Sequence, residues 1–131
     1  TLVRLPTEAE WVLAAGGDQP TGRYPWDAPG KATTAVQKIV QKANVEASKI
    51  GHTTAVDAYP QGASQPYGIF DLAGNVWEWQ ANYYRAEHDY LALRGGSWSS
   101  RHVNARVAGR YDDHPDDVWR ADGFRVAALP S

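Results

Sequence analysis

Apolar and polar positions along this chain alternate in short runs, and no single period holds for long. Near the start, Thr7 and Glu10 form a Thr-x-x-Glu capping box after Pro6, in which the hydroxyl takes an orphan amide and the carboxylate reaches back to the cap. Trp11, Ala14 and Ala15 then share one helical face, and Gly16-Gly17 stops the helix. Between Lys31 and Ser48, Val36, Ile39, Val40 and Ala43 recur at i, i+3, i+4 and i+7, with Lys31, Lys38, Lys42, Gln37 and Gln41 elsewhere. That spacing predicts a second, amphipathic helix on a polar surface, its lysines most simply read as a solvated face.

Elsewhere the period shortens. Val76 to Tyr84 and Leu91 to Ser97 predict strands, with Arg85-Ala-Glu-His-Asp89 as a polar connection, and Gly123 to Ala128 predicts a closing strand. Asp18 to Gly30 is rich in Gly and Pro around Tyr24-Pro-Trp26, the mark of a loop pinned by aromatic rings. Asn44 to Tyr59 reads as irregular. From Tyr67 onward Gly and Trp are dense: Gly68 and Gly74 allow tight turns, and Trp77, Trp79 and Trp98 supply apolar area in a chain without methionine.

Composition narrows the function classes. At 131 residues the chain suits one domain over residues 1–131, with no room for a second. A net charge of −2 argues against non-specific nucleic-acid binding, which needs a basic face. No apolar run approaches the roughly 18 residues of a membrane span, and no basic, then apolar, leader opens the chain. Cysteine is absent, so there are no disulfides and no evidence of redox compartment. The chain holds neither repeats nor low-complexity tracts, and Asn82-Tyr-Tyr84 lacks the hydroxyl of a glycosylation acceptor.

Two regions carry candidate chemistry. Asp71 and Glu78 flank a carbonyl-rich turn, the oxygen chemistry a hard cation prefers. The same carboxylates would equally serve as a turn cap and a partner for Arg94 or Arg106. Ser99 to Asp122 gathers Ser99, Ser100, Arg101, His102, Asn104, Arg110, Tyr111, Asp112, Asp113, His114, Asp116, Asp117, Trp119 and Arg120. Tyr, Trp and Arg supply large contact area and directional hydrogen bonds, with Ser and Asn as adaptable neighbours. We read this segment as a ligand-binding surface, against the plainer reading of an ordinary polar loop. His102 and His114 with Asp112, Asp113, Asp116 and Asp117 match no zinc or facial-triad spacing. A triad of Ser97, His88 and Asp71 has no nucleophile elbow behind it.

Four blocks carry a family resemblance: Arg4-Leu-Pro-Thr-Glu-Ala-Glu-Trp11, Gly68-Ile-Phe-Asp-Leu-Ala-Gly-Asn-Val-Trp-Glu-Trp79, Leu93-Arg-Gly-Gly-Ser-Trp98 and Gly123-Phe-Arg-Val126. In order and spacing the chain resembles the formylglycine-generating-enzyme (sulfatase-modifying-factor) family. The resemblance implies an α+β, C-type lectin-like fold: two helices, short antiparallel strands and much irregular loop. It also implies that N-terminal strands of the domain precede Thr1, as a fragment or companion part of the same protein. The family's copper oxidase holds its metal on two thiolates, and those positions are Ser100 and Ala105 here, so copper is not expected. Calcium is implied on the Asp71 and Glu78 carboxylates and the Gly74 and Val76 carbonyls. A second calcium position would begin at Asn44-Val45, but its later carboxylate falls near Ser48, and it is not expected.

The Gly-Gly-Ser-Trp block, a variable stretch and the terminal Gly-Phe-Arg-Val resemble the variable proteins of diversity-generating retroelements, whose adenine-directed mutagenesis rewrites Asn codons. Ser99, Ser100, Arg101, His102, Val103 and Asn104, then Gly109, Tyr111, Asp112, Asp113 and His114, are reachable from AAC by adenine changes; Trp119 is not. The leading expectation is a non-catalytic domain whose variable segment, 99–122, binds a protein or cell-surface ligand. The alternatives are a divergent enzyme, formylglycine-generating or sulfoxide-synthase-like without the copper cysteines, and a sensor module on a larger chain. The sugar-site Glu-Pro-Asn motif of calcium-dependent lectins is absent, and the residues specify no location.

Overall fold

The computed structural model describes residues 1–87 and 89–130. The proposed triad member His88 lies outside the described residues, so that constellation has no geometry to report. The first helix, α1 (Glu8–Ala14), starts as its residues predict. Thr7 Oγ1 accepts from the Glu10 amide at 3.2 Å, and Glu10 Oε1 accepts from the Thr7 amide at 2.8 Å. Arg4 clamps the same Glu10 carboxylate with two bonds of 2.7 and 2.9 Å, holding it well below its ordinary pKa, to about 2. The helix closes with Gly16 donating to Leu13 O and Gly17 to Val12 O, the paired bonds of a Schellman motif.

The second helix is much shorter than its apolar spacing predicts. α2 covers only Val36–Ile39, and a separate 3₁₀ turn covers Glu46–Ser48. The reason is packing: Ala43, Asn44 and Val45 are all fully buried, and three consecutive residues cannot all face inward from one helix. Val36, Ile39 and Val40 are also β-branched, which weakens a helix with no side-chain cap at Ala35. The backbone therefore leaves the helix at Val40 and turns into the core.

The remaining elements are strands. β1 (Leu2–Arg4) pairs antiparallel with β6 (Ala127–Leu129), closing the two ends of the chain together. β2 (Trp77–Tyr83), β3 (Leu91–Arg94), β4 (Arg110–Asp113) and β5 (Asp122–Gly123) form one sheet in the order β4-β3-β2-β5. β2 and β3 fall where alternation predicts, though β3 ends at Arg94 rather than Ser97. The predicted closing strand divides into β5 and β6, and the β5 pairing with β2 is parallel, so the sheet is mixed rather than purely antiparallel. β1 and β4 escape prediction because three- and four-residue strands are too short to show a period.

Two apolar clusters fill the interior. Tyr24 and Trp26 stack with ring centroids 4.8 Å apart against Ile39, Ala43, Val45 and Ala105, so the Gly- and Pro-rich loop is pinned as its aromatics predict. Trp11, Ala15, Leu72 and Val107 form the other cluster. The turn before β2 runs against backbone: a Cβ on Gly74, whose φ is +79°, would lie 2.5 Å from Asn44 O. Among the described residues no helix is long and apolar enough to cross a membrane.

Glu8 binds α1 to three strands. Its carboxylate accepts from Arg94 Nε and from Arg110 Nε and Nη2, each at 2.7 Å, and from Asn82 Nδ2 at 2.9 Å. Burial pushes its pKa up, but hydrogen bonds from Arg110 and Asn82 and the charges of Arg94 and Arg110 outweigh that, leaving it below the ordinary value. Glu8→Ala leaves the Arg94 guanidinium buried without its carboxylate, and should lower stability by about 3–5 kcal/mol. Urea unfolding checks this; a loss below about 1 kcal/mol, typical of a surface pair, would contradict it.

Candidate functional site

Strand alternation separates two kinds of chemistry on the sheet. In register, Glu78, Arg94 and Arg110 share one face, and Trp79, Leu93 and Tyr111 share the other. The first face packs on α1. There Arg94 and Arg110 meet Glu8, while Glu78, 3% exposed, accepts from Trp11 Nε1 at 3.1 Å and pairs with Arg125. Both glutamates sunk into this face, Glu8 and Glu78, pair with arginine. Burial still lifts Glu78 above its ordinary pKa, against the opposing pull of Arg125 and Trp11.

The second face carries aromatics and acids. Tyr111, 45% exposed, leans on buried Trp77 with ring centroids 5.4 Å apart. Asp113 follows two residues along β4 on the same face, and Asp122 sits in register with Trp77 at the other edge. The His114 amide lies between Asp113 Oδ1, at 3.1 Å, and Asp117 Oδ2, at 3.2 Å. Burial raises the Asp113 pKa and the neighbouring Asp117 carboxylate raises it further, while Asp117 is lowered by its bond with Asp113. Both Asp122 carboxylate oxygens are buried with no hydrogen-bond partner among the described residues. Burial, then the charges of Asp113 and Asp117, pushes Asp122 up to about 6.

The segment 99–122 is not one continuous surface. Arg101, Asn104, Tyr111, Asp116, Asp117, Trp119 and Arg120 are exposed, Arg120 lying over the Trp98 ring at 5.5 Å. His114 is half-buried and meets Tyr90 edge to face at 5.9 Å. Others turn inward. Arg110 is committed to Glu8 and to Tyr84, whose ring it covers at 4.2 Å, and alternation puts Asp112 on that same α1 face. His102 and Asn104 sit on a 3₁₀ turn over His102–Ala105; the His102 carbonyl accepts from Tyr24 OH at 2.9 Å. Ser99 and Ser100 hydroxyls bond Ser97 Oγ at 3.1 and 3.0 Å, stabilising a tight turn.

At the two positions where the resemblance would put thiolates, Ser100 Oγ accepts from the Ser97 amide at 3.0 Å, and Ala105 is fully buried in the Tyr24 cluster. The expected calcium turn opens into a hollow of about 290 Å³, lined in part by Asp71, Val76, Glu78 and Arg125. Asp71 Oδ2 is buried there without a donor among the described residues, and burial lifts its pKa to about 6, with Arg125 opposing and Glu78 and Asp57 adding to the rise. The expected pairing of Glu78 with Arg94 or Arg106 is corrected: its partner is Arg125, from the last family-like block. Arg94 is taken by Glu8. At the second calcium position Asn44 Oδ1 is buried without a donor, while Ser48 Oγ is occupied by Ala43 O and the Val45 amide.

Sequence reasoning passed over Asp122 and Arg125 as site residues. The available signal was slight: both flank Gly123-Phe124, where a closing strand was expected to bury its face. Asp122 carries a consequence for pH. Its folded pKa lies above the ordinary 3.8, so the folded state keeps the proton up to about pH 6 and stability falls as pH rises from about 4 to 6. Asp122→Asn should therefore melt higher than the parent at pH 7, with the gap closing by pH 4. Thermal melts across that range check it; a gap independent of pH would refute the assignment.

Comparison with known proteins agrees with this architecture. Residues 2–129 match the sulfatase-modifying factor enzyme 1-like domain. The "Inactive C-alpha-formylglycine-generating enzyme 2" of Bos taurus is 37% identical over 134 residues, covering 95% of this chain and 44% of that protein. The serine/threonine-protein kinase pkn1 of Chlamydia pneumoniae is 36% identical over 141 residues, covering 95% of this chain and 20% of that protein. The chain thus spans less than half the length of either relative. Treponema denticola variable protein 1 has the same fold, with a TM-score of 0.73 and 28% identity over 98% of this chain and 48% of that one. With its four sequence blocks, its α+β fold and a match along nearly its whole length, this chain belongs to the sulfatase-modifying factor (formylglycine-generating enzyme) family.

Proposed function

We propose that this domain is a non-catalytic ligand-binding module of the retroelement-diversified type, presenting the exposed part of 99–122 to a protein or cell-surface ligand. The observation that carries the reading is a division of labour within one segment. Arg101, Asn104, Tyr111, Asp116, Asp117, Trp119 and Arg120 face solvent, while Ala105, Val107 and Ala121 are fully buried and anchor the backbone beneath them. Side chains of the first group can change without disturbing the second. The likeness to Treponema denticola variable protein 1 supports this reading, as do a hydroxyl and a buried methyl at the copper positions.

A structural calcium belongs to the same reading. Asp71 and Glu78 would hold it with the Gly74 and Val76 carbonyls, stiffening the turn that leads into β2. Its support is the buried Asp71 oxygen that lacks a donor, together with an oxygen-only donor set. Against it stands Arg125, which already neutralises Glu78 and lines the same hollow. Calcium in millimolar excess should raise the melting temperature of the protein and leave Asp71→Asn unmoved; equal shifts in both would remove the ion from the reading.

The functional reading is tested by separating binding from stability. Tyr111→Ala and Arg101→Ala should weaken capture of a ligand selected by display against the protein, while shifting stability by no more than about 0.5 kcal/mol. Trp77→Ala, emptying a buried site beside Tyr111, should cost about 3–5 kcal/mol. Equal losses of stability in both groups, or binding indifferent to Tyr111 and Arg101, would contradict the proposal. Sequence variation among isolates gives an independent check, since adenine-confined substitutions between Ser99 and Asp122 with an invariant Asp71–Trp79 are expected.

A further inference from the structure

Charge is distributed unevenly between the two faces of the sheet. On the α1 face, Glu8 is met by two arginines and Glu78 by one. On the far face, none of Asp113, Asp117 and Asp122 takes part in an ion pair among the described residues; burial first, then the charges of Asp113, Asp112, Asp122 and Asp117, raise the pKa of the Tyr111 hydroxyl. Two arginines of the same segment are engaged elsewhere, Arg110 at Glu8 and Arg120 over Trp98. His114 Nδ1 lies 3.7 Å from Asp116.

Clustered carboxylates without counter-charge are costly. Asp122 bears the largest part of that cost, because both its oxygens are withdrawn from water and receive no hydrogen bond among the described residues. A fold that needed only a buried polar group here would be better served by Asn, which carries its own donors. Beside these acids stands Tyr111, its ring propped on Trp77 and nearly half exposed. An aromatic face next to carboxylates is complementary to an organic cation, which gains from the ring quadrupole and the negative charge together. A bare metal ion is less well matched: among the described residues no group of three His, Cys, Asp or Glu side chains converges in metal-binding geometry.

We propose that the far face of the sheet recognises a cationic group, the ammonium or guanidinium of a basic protein segment, received beside Tyr111 by the carboxylates of Asp113 and Asp117 above the buried Asp122. This rests on the ligand-binding reading above and adds the sign and chemical class of the ligand. Asp113 and Asp117, held together at the His114 amide, form the accessible rim, and Asp122 supplies negative potential from beneath. The same potential repels phosphorylated and other anionic ligands, so the face selects by sign as well as by shape.

The test uses a short alternating Lys–Gly peptide and its Glu–Gly counterpart, titrated into the protein while backbone amide resonances are followed by NMR. The Lys–Gly peptide should shift the amides of 111–122, with an affinity that falls as salt is raised, and the Glu–Gly peptide should not. Asp113→Asn and Asp117→Asn should each weaken the Lys–Gly peptide by about two- to fivefold, the contribution of a partly exposed charge contact. Asp122→Asn should weaken it as well while raising the melting temperature at pH 7, so that lost binding cannot be put down to lost stability. Equal binding of both peptides, or affinity untouched by the three Asn variants, would overturn the proposal. If a display-selected ligand depends on Tyr111 but ignores salt and all three Asn variants, the cation is wrong and the ligand-binding reading survives. If neither peptide perturbs 111–122, the cation inference falls alone, because display capture tests the other reading separately.

Discussion

Two glutamates on opposite sides of one interface hold this domain together. Glu8, on the first turn of α1, reaches across to Arg94, Arg110 and Asn82; Glu78, on the central strand, reaches back to Trp11 and out to Arg125. Between them they join the helix, three strands and the C-terminal chain. Buried charges of this kind add little over a well-packed apolar core, but they are unforgiving of misplacement, since each arginine is satisfied in only one arrangement. The small apolar clusters around Tyr24 and Trp11 supply cohesion, and the ion pairs supply register.

That arrangement leaves the far face free for other uses. While the helix side of the sheet takes up Arg94, Arg110 and Arg125, Asp113, Asp117 and Asp122 on the other side take part in no ion pair among the described residues. The scaffold is held from behind, by contacts in which the exposed side chains in front take no part. Framework and surface are interleaved within 99–122 rather than separated. Arg110 and Ala105 belong to the scaffold, while Tyr111 and Asn104, their immediate neighbours, face outward.

The family relationship restricts chemistry less than fold. Ser100 supplies a turn-forming hydroxyl and Ala105 a core methyl, and both are employed in local structure. The turn before β2 keeps two carboxylates and an oxygen without a donor, yet adds an arginine to the same hollow. Similarity to an inactive formylglycine-generating enzyme and to a variable protein points to a scaffold used for more than one purpose.

Local features were legible in the residues themselves. The Thr7–Glu10 capping box, the Gly16-Gly17 stop and the alternation of β2 depend on neighbours within a few positions, and each appears as expected. The four sequence blocks identified the family, and the missing thiols at Ser100 and Ala105 needed no structure to be seen. Features that depend on distant partners were not legible. α2 stops at Ile39 because Ala43, Asn44 and Val45 must all be buried, a requirement set by the core and invisible to helical periodicity. Glu78 pairs with Arg125, 47 positions away, instead of Arg94, which Glu8 reaches across 86. Asp122 looks like any acidic residue before a glycine until β5 docks parallel to β2, beside Asp113 and Asp117. Sequence determined capping, alternation and family because those are short-range or shared patterns; tertiary structure alone decided which charges are neutralised and which are left without an ion pair, because pairing follows distance in space.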